Sequence, residues 1–159
     1  MRWLMLLASG LLAGVYLMNK KTIDETVSDF VLSARSETRM LGVHGDLKKV
    51  VRRALELSPY DFGTTEGLRT AKRQYQLYQE GLSQLDGAKR LSRHQSGHAI
   101  DFVAYDENNK VTWDFKYYDA ISKAFKQAAR ELNVAIVWGG DWKSLLDGPH
   151  IELSRRVYT

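Results

Sequence analysis

A chain of 159 residues, 44% hydrophobic and 26% charged, has the make-up of one globular domain, which excludes a disordered or fibrous polymer. It has no cysteine, so disulfides and thiolate metal centres are excluded and any metal must rest on histidine and carboxylate. A net charge of +4 favours an anionic partner, and nucleic acid, anionic lipid and bacterial cell wall all satisfy it.

The first element is apolar. Trp3 to Met18 reads WLMLLASGLLAGVYLM, an uncharged run between Arg2 and the Lys20-Lys21 pair. As a helix it spans roughly 24 Å, short of a hydrocarbon core of roughly 30 Å. It exceeds a usual signal-peptide core, and its C-terminal edge lacks a small-x-small cleavage site. The reading is an uncleaved signal anchor over residues 1–21, with a buried core helix as the alternative. Balanced flanking charge leaves its orientation open, and its glycines, alanines and serine keep it weakly hydrophobic.

Residues 22–40 carry Ile23, Val27, Phe30 and Val31 at helical spacing, with acids early, and read as a connector helix. The globular domain is expected over 41–159. Its first helix opens at Gly45-Asp46, with Asp46 as N-cap and Leu47, Val50, Val51, Ala54 and Leu55 on one stripe. A short strand over Asp61–Gly67 and a helix over Ala71–Gln79, stopped by Gly81, come next. From Gly97 the pattern alternates as a strand, HAIDFVAY, ending in the turn Asp106–Asn109. A helix over Tyr118–Leu132 and strands over Val134–Trp138 and His150–Leu153 complete the chain. Helices and strands mix without regular alternation, so the fold class is α+β: a small antiparallel sheet with flanking helices.

Chemistry concentrates in SRHQSGHAIDF, Ser92–Phe102. His94 and His98 are four apart, as in a helical HExxH, yet glutamine stands where that motif needs glutamate, and Gly97 weakens a helix. The strand pattern instead puts His98, Ile100 and Phe102 on one face and Ala99, Asp101 and Val103 on the other. A carboxylate among Ala99 and Val103 is costly to bury unless it meets a cation. His94, Asp101 and His150 would give three N/O ligands with a fourth position open to water, the pattern of catalytic zinc. Taken singly, each is better explained as a surface or capping residue than as a ligand.

Together the motifs resemble a known family. SRHQSGHAIDF is similar to SxHxxGxAxD of the zinc D-Ala-D-Ala carboxypeptidases, whose fold is shared by Hedgehog-like domains, and DGPHIEL resembles that family's second motif. LGVHGDLKKVVRRALEL, DFGTTEGLRTAKRQYQLYQEG and WGGDW resemble the phage L-alanyl-D-glutamate endopeptidase branch, from about Phe30 to the end. The resemblance implies one zinc ion on His94, Asp101 and His150, with His98 not a ligand. It implies Asp147 as general base and acid, and Arg69 as the residue facing the developing oxyanion. Ser92 would touch substrate or cap a turn. Gln74 would line the cleft beside Arg69, and Trp138 and Trp142 would wall it unless they are core.

The implied protein is an endolysin that cuts the L-Ala–D-Glu bond of peptidoglycan stem peptides for host cell lysis. With the N-terminal run it becomes a signal-arrest-release enzyme, exported by the host secretion machinery, held in the host inner membrane with its N-terminus cytoplasmic, then freed into the periplasm. A monomer with no nucleic-acid partner is expected. The alternatives are a D-Ala-D-Ala carboxypeptidase or dipeptidase, and a wall-binding module that keeps zinc without catalysis.

Overall fold

The computed structural model describes residues 28–159. The expected anchor over 1–21 and the first part of the connector lie outside the described residues. Among the described residues no helix is long and apolar enough to cross a membrane.

The elements are α1 (Ala34–Arg39), α2 (Gly45–Leu57), β1 (Phe62–Glu66), α3 (Ala71–Gln79), β2 (Ala99–Tyr105), β3 (Val111–Thr112), α4 (Phe115–Glu131), β4 (Ile136–Trp138) and β5 (His150–Leu153). Two 3₁₀ turns, Arg93–Ser96 and Gly139–Asp141, precede and follow strands of the sheet. The strands form one antiparallel sheet in the order β1-β2-β5-β4, with β3 added on β2. This is the α+β architecture expected from the pattern.

Helices α2 and α4 pack together against one face of that sheet. The stripe Leu47, Val50, Val51, Ala54 and Leu55 is fully buried, as its spacing predicts. Phe62 and Phe102 from the sheet and Phe125 from α4 meet with ring centroids 5.1–5.4 Å apart. Each such ring, buried, stabilises the fold by about 1.5–3 kcal/mol. Because strand residues alternate, Ile100, Phe102 and Ala104 of β2 and Ile151 and Leu153 of β5 enter this core. Asp101, His150 and Glu152 therefore project to the opposite face.

Local chemistry moves two helix starts. His44, not Asp46, is the N-cap of α2: its Nδ1 accepts from Asp46 N at 3.2 Å. The preceding turn is fixed where His44 N donates to the Gly97 carbonyl at 2.8 Å, so the helix begins one residue before the expected cap. Asp46 instead pairs with Lys49 at 3.1 Å, in the first turn where a carboxylate suits the helix dipole. Helix α4 starts at Phe115 because Asp114 caps it, accepting from Lys116 N at 3.1 Å.

Residues 28–33 carry no regular structure before Ser33 caps α1. They and α1 pack on the domain. Ser28 Oγ donates to the Leu55 carbonyl at 2.7 Å, Ser36 Oγ accepts from Thr64 N at 3.2 Å, and Met40 is buried in the core.

Gly97 has φ of +70°, a left-handed conformation, and a Cβ there would collide with the Gly42 carbonyl. Gly97→Ala is expected to destabilise the protein by on the order of 2 kcal/mol or more, read from urea unfolding midpoints at unchanged slope. A change below about 0.5 kcal/mol would contradict this packing.

Candidate metal centre

The site lies on the sheet face away from the helices. Asp101 on β2 stands directly across from His150 on β5 in the register. His94 arrives from the 3₁₀ turn before β2, where Ser92 caps the turn. Ser92 Oγ accepts from His94 N at 3.3 Å, and Gln95 Oε1 accepts from Ser92 N at 2.9 Å, a capping box. One ligand-type atom from each of His94, Asp101 and His150 lies within 4.8 Å of the others. Asp101 Oδ1 is 3.3 Å from His94 Nε2 and 3.1 Å from His150 Nδ1. Ligands bonded tetrahedrally at about 2.0–2.1 Å lie about 3.3 Å apart, so the spacing fits a metal.

The hydrogen bonds of the cluster also favour positive charge. His94 Nδ1 lies 2.8 Å from the Gly67 carbonyl, which can only accept, so that nitrogen carries the proton. His150 is flanked by carboxylates on both nitrogens, Asp101 at 3.1 Å and Glu152 Oε2 at 3.2 Å, and a neutral imidazole has one proton to give. Burial works against charge on His150, but its hydrogen bonds to Asp101 and Glu152 push it up to about 9. Burial alone would raise the Asp101 carboxyl; bonds to His150 and His94 hold it well below the usual carboxylate range. The cluster is a ready ligand set for one positive ion. Gly67 and Glu152 supply the outer partners that orient metal-binding imidazoles.

Arg69 enters from the loop after β1, its backbone N donating to the His94 carbonyl at 3.0 Å. Its buried guanidinium donates to Glu66 Oε2 at 2.5 Å and Gln74 Oε1 at 2.8 Å, and reaches Asp101 Oδ2 at 3.4 Å. Glu66 is on this face because the β1–β2 register shifts between Thr64 and Glu66, so that Glu66 faces Asp101. Without that bulge the alternation set by Phe62 and Thr64 would send Glu66 toward the core. Asp147 sits half-buried on the opposite wall, and burial pushes its carboxyl up. A Cβ on Gly139 would lie 2.9 Å from Asp147 Cβ and 3.1 Å from His150 Cβ, which explains glycine in WGGD.

These groups line a cleft of about 410 Å³ together with Ser92, Trp142, Ser144 and the leucines 77, 82, 85 and 145. A buried cation-binding floor, a fixed guanidinium and a carboxyl of raised proton affinity form an arrangement suited to hydrolysis.

The model of the family described as phage L-alanyl-D-glutamate peptidase matches residues 28–154. The chain belongs to that family. It is 41% identical over 130 residues to the L-alanyl-D-glutamate peptidase of Escherichia phage T5, covering 81% of this chain and 93% of that protein. It is 31% identical over 101 residues to the peptidoglycan L-alanyl-D-glutamate endopeptidase CwlK of Bacillus subtilis, covering 58% of this chain and 60% of that one. Among solved structures, the Serratia marcescens L-Ala D-Glu endopeptidase ChiX superposes with a TM-score of 0.73 at 43% identity, covering 82% of this chain and 95% of that one.

In this member of the peptidase family the structure gathers His94, Asp101, His150, Asp147, Arg69 and Ser92 in one cleft. It places two expected cleft residues behind it. Gln74 is fully buried, bridging Arg69 to Ser83 Oγ and the Leu85 carbonyl, so it holds the wall without lining it. Trp138 is core: it stacks on Phe115, and its Nε1 donates to the Gly148 carbonyl at 2.8 Å. Trp142, with its ring 5.2 Å from that of His150, is the tryptophan in the cleft. His98 lies outside the cluster, 5.3 Å from the His44 ring.

Two residues that touch the cluster were missed from sequence. Glu152 follows His150 by two on a strand, so period two was enough to find it. Glu66 depends on the bulge, which leaves no mark in the residue pattern. Glu152→Ala is expected to weaken metal binding about 10- to 100-fold while the protein stays folded, measured by zinc titration calorimetry beside a thermal melt. Unchanged affinity would remove Glu152 from the site.

Proposed function

We propose that this chain is an endolysin, a zinc-dependent endopeptidase that cuts the L-Ala–D-Glu bond of peptidoglycan stem peptides for host cell lysis. The single observation that carries the hydrolytic reading is the His94–Asp101–His150 cluster, floored in a cleft whose walls present Asp147 and Arg69. The names of its relatives support the choice of bond. Two histidines and one carboxylate with an open fourth position are the donor set of a catalytic zinc, and we place the domain with the zinc D-Ala-D-Ala carboxypeptidases on that basis.

Zinc at this cluster would polarise the scissile carbonyl and acidify the attacking water. Asp147, whose burial strengthens its hold on a proton, takes the proton of that water and passes it to the departing D-glutamyl amine. Arg69, braced by Glu66 and Gln74, stabilises the negative charge that develops on the carbonyl oxygen.

Base and ligands separate by mutation. His94→Ala or Asp101→Ala should lose both metal and hydrolysis. Asp147→Asn should keep the metal and lower kcat by about 10²- to 10⁴-fold; near-normal turnover would exclude Asp147 as the base. Mass analysis of digested peptidoglycan should show new N-terminal D-Glu. Free D-Ala as the main product would make it a carboxypeptidase, and metal binding without any new terminus would make it a wall-binding module.

We further propose that residues 1–21 form a signal anchor that carries the domain through the host secretion machinery and holds it at the host inner membrane, N-terminus cytoplasmic, before release into the periplasm. The support is compositional: leucine and methionine favour insertion, while Gly10, Gly14, Ala8, Ala13 and Ser9 keep it weak. New protein should fractionate with membranes, and uncleaved protein should later appear in the soluble periplasm. Gly10→Leu with Gly14→Leu should retain it in the membrane. A shorter soluble form would show a cleaved signal instead.

A further inference from the structure

The cleft does not end at the metal cluster. A second groove, of about 480 Å³, opens on the far side of Glu66 and Asp101, which line both. The two arms differ in chemistry. The arm holding Asp147 is walled by Leu82, Leu85, Leu145 and Trp142. The other is lined by Arg39 and Arg73, with the exposed side chains of Leu41 and Leu68 and the hydroxyls of Thr38 and Thr65.

Neither arginine is in an ion pair among the described residues, a state they share with several other arginines, whereas Arg52, Arg53, Arg69 and Arg155 are paired. Arg39 is half-buried at the end of α1, and its Nη1 donates to the carbonyl of Thr65, the residue between Thr64 and Glu66 where the register shifts. That bond ties the guanidinium to the backbone at the groove's edge. Arg73, exposed on the first turn of α3, approaches from the other bank. The acids at the junction, Glu66 and Asp101, both face Arg69.

We propose that the Arg39–Arg73 groove is the subsite for the leaving half of the substrate and reads its carboxylates. This rests on the endopeptidase reading above. In a stem peptide the D-glutamyl residue continues through its γ-carboxyl, so its α-carboxylate stands free beside the scissile amide, and the following diamino acid brings more polar charge. The acyl half is an alanine methyl and a lactyl ether. Charge therefore sets the direction of binding: the anionic half lies along Arg39 and Arg73, and the apolar half lies against Leu82, Leu85, Leu145 and Trp142. Guanidinium recognises a planar carboxylate bidentately, which gives discrimination as well as affinity.

The test compares two substrates in detergent-solubilised full-length protein: acetyl-L-Ala-γ-D-Glu-diaminopimelate and its α-carboxamide analogue. The charge reversal Arg73→Glu should lower kcat/KM on the carboxylate about tenfold and leave the carboxamide within about twofold, and Arg39→Gln should cost more on the carboxylate than on the carboxamide. Equal losses on both substrates, or no loss on the carboxylate, would overturn the subsite. Arg73→Glu changes only an exposed side chain, so its result stands even if Arg39→Gln disturbs the bulge. Calorimetry with the fragment γ-D-Glu-diaminopimelate separates this claim from the endopeptidase reading. Wild-type protein that cuts neither substrate yet binds the fragment, with affinity lost in Arg73→Glu, would refute the endopeptidase reading and keep the subsite. Fragment binding indifferent to Arg73→Glu would overturn the subsite.

Discussion

The constraint on which the site depends is the convergence of His94 and His150 on Asp101. His94 spends its Nδ1 proton on the Gly67 carbonyl, and His150 is caught between Asp101 and Glu152. Three ligand-type atoms thus meet at one point, where the carboxylates raise His150 and the histidines hold Asp101 ionised, so the cluster favours positive charge. Burying such charged groups is costly unless they are paired. The fold accepts this cost locally because the other sheet face is an all-apolar core built on α2 and α4. Stability and chemistry are divided between the two faces of one sheet.

The surroundings of the cluster are tight for the same reason. Ligands must be held to within fractions of an ångström, and close backbone approach does much of the holding. Gly67 packs where a Cβ would strike the Arg39 carbonyl, which brings its own carbonyl within reach of His94. Gly139 lets Asp147 and His150 approach the same turn, and Asp147 N donates to the Gly139 carbonyl at 3.1 Å. On the other wall the β1 bulge, pinned by Arg39, turns Glu66 toward Arg69. One arginine thus braces the catalytic wall while lining the groove beside it.

Much of this was legible in the residues, for a definable reason. Strand alternation after Gly97 separates Asp101 from Ile100 and Phe102, and the same rule applied to PHIEL separates His150 from Ile151. That Asp101 and His150 share a face comes from the β2–β5 register, which sets them opposite each other. The helical stripes of α2 and α4 were equally plain, since apolar spacing is set by the helix itself. What stayed hidden depends on contacts between distant segments. His44 caps α2 because Gly97, over fifty residues away, fixes its backbone. Trp138 is core and Trp142 lies in the cleft, although both flank the same glycine pair; the choice is made by Phe115 and the Gly148 carbonyl. Gln74 has the right position beside Arg69 but points into the protein, where it ties the arginine to the loop at Ser83–Leu85.

The measurement that bears most directly on this account is anomalous diffraction at the zinc edge from crystals of the zinc-loaded protein. One peak is expected, bonded to His94 Nε2, an Asp101 carboxylate oxygen and His150 Nδ1, with Glu152 against the far nitrogen of His150 and His98 uninvolved. A peak ligated by His98, or one bonded to His150 through Nε2 with Glu152 turned away, would contradict it.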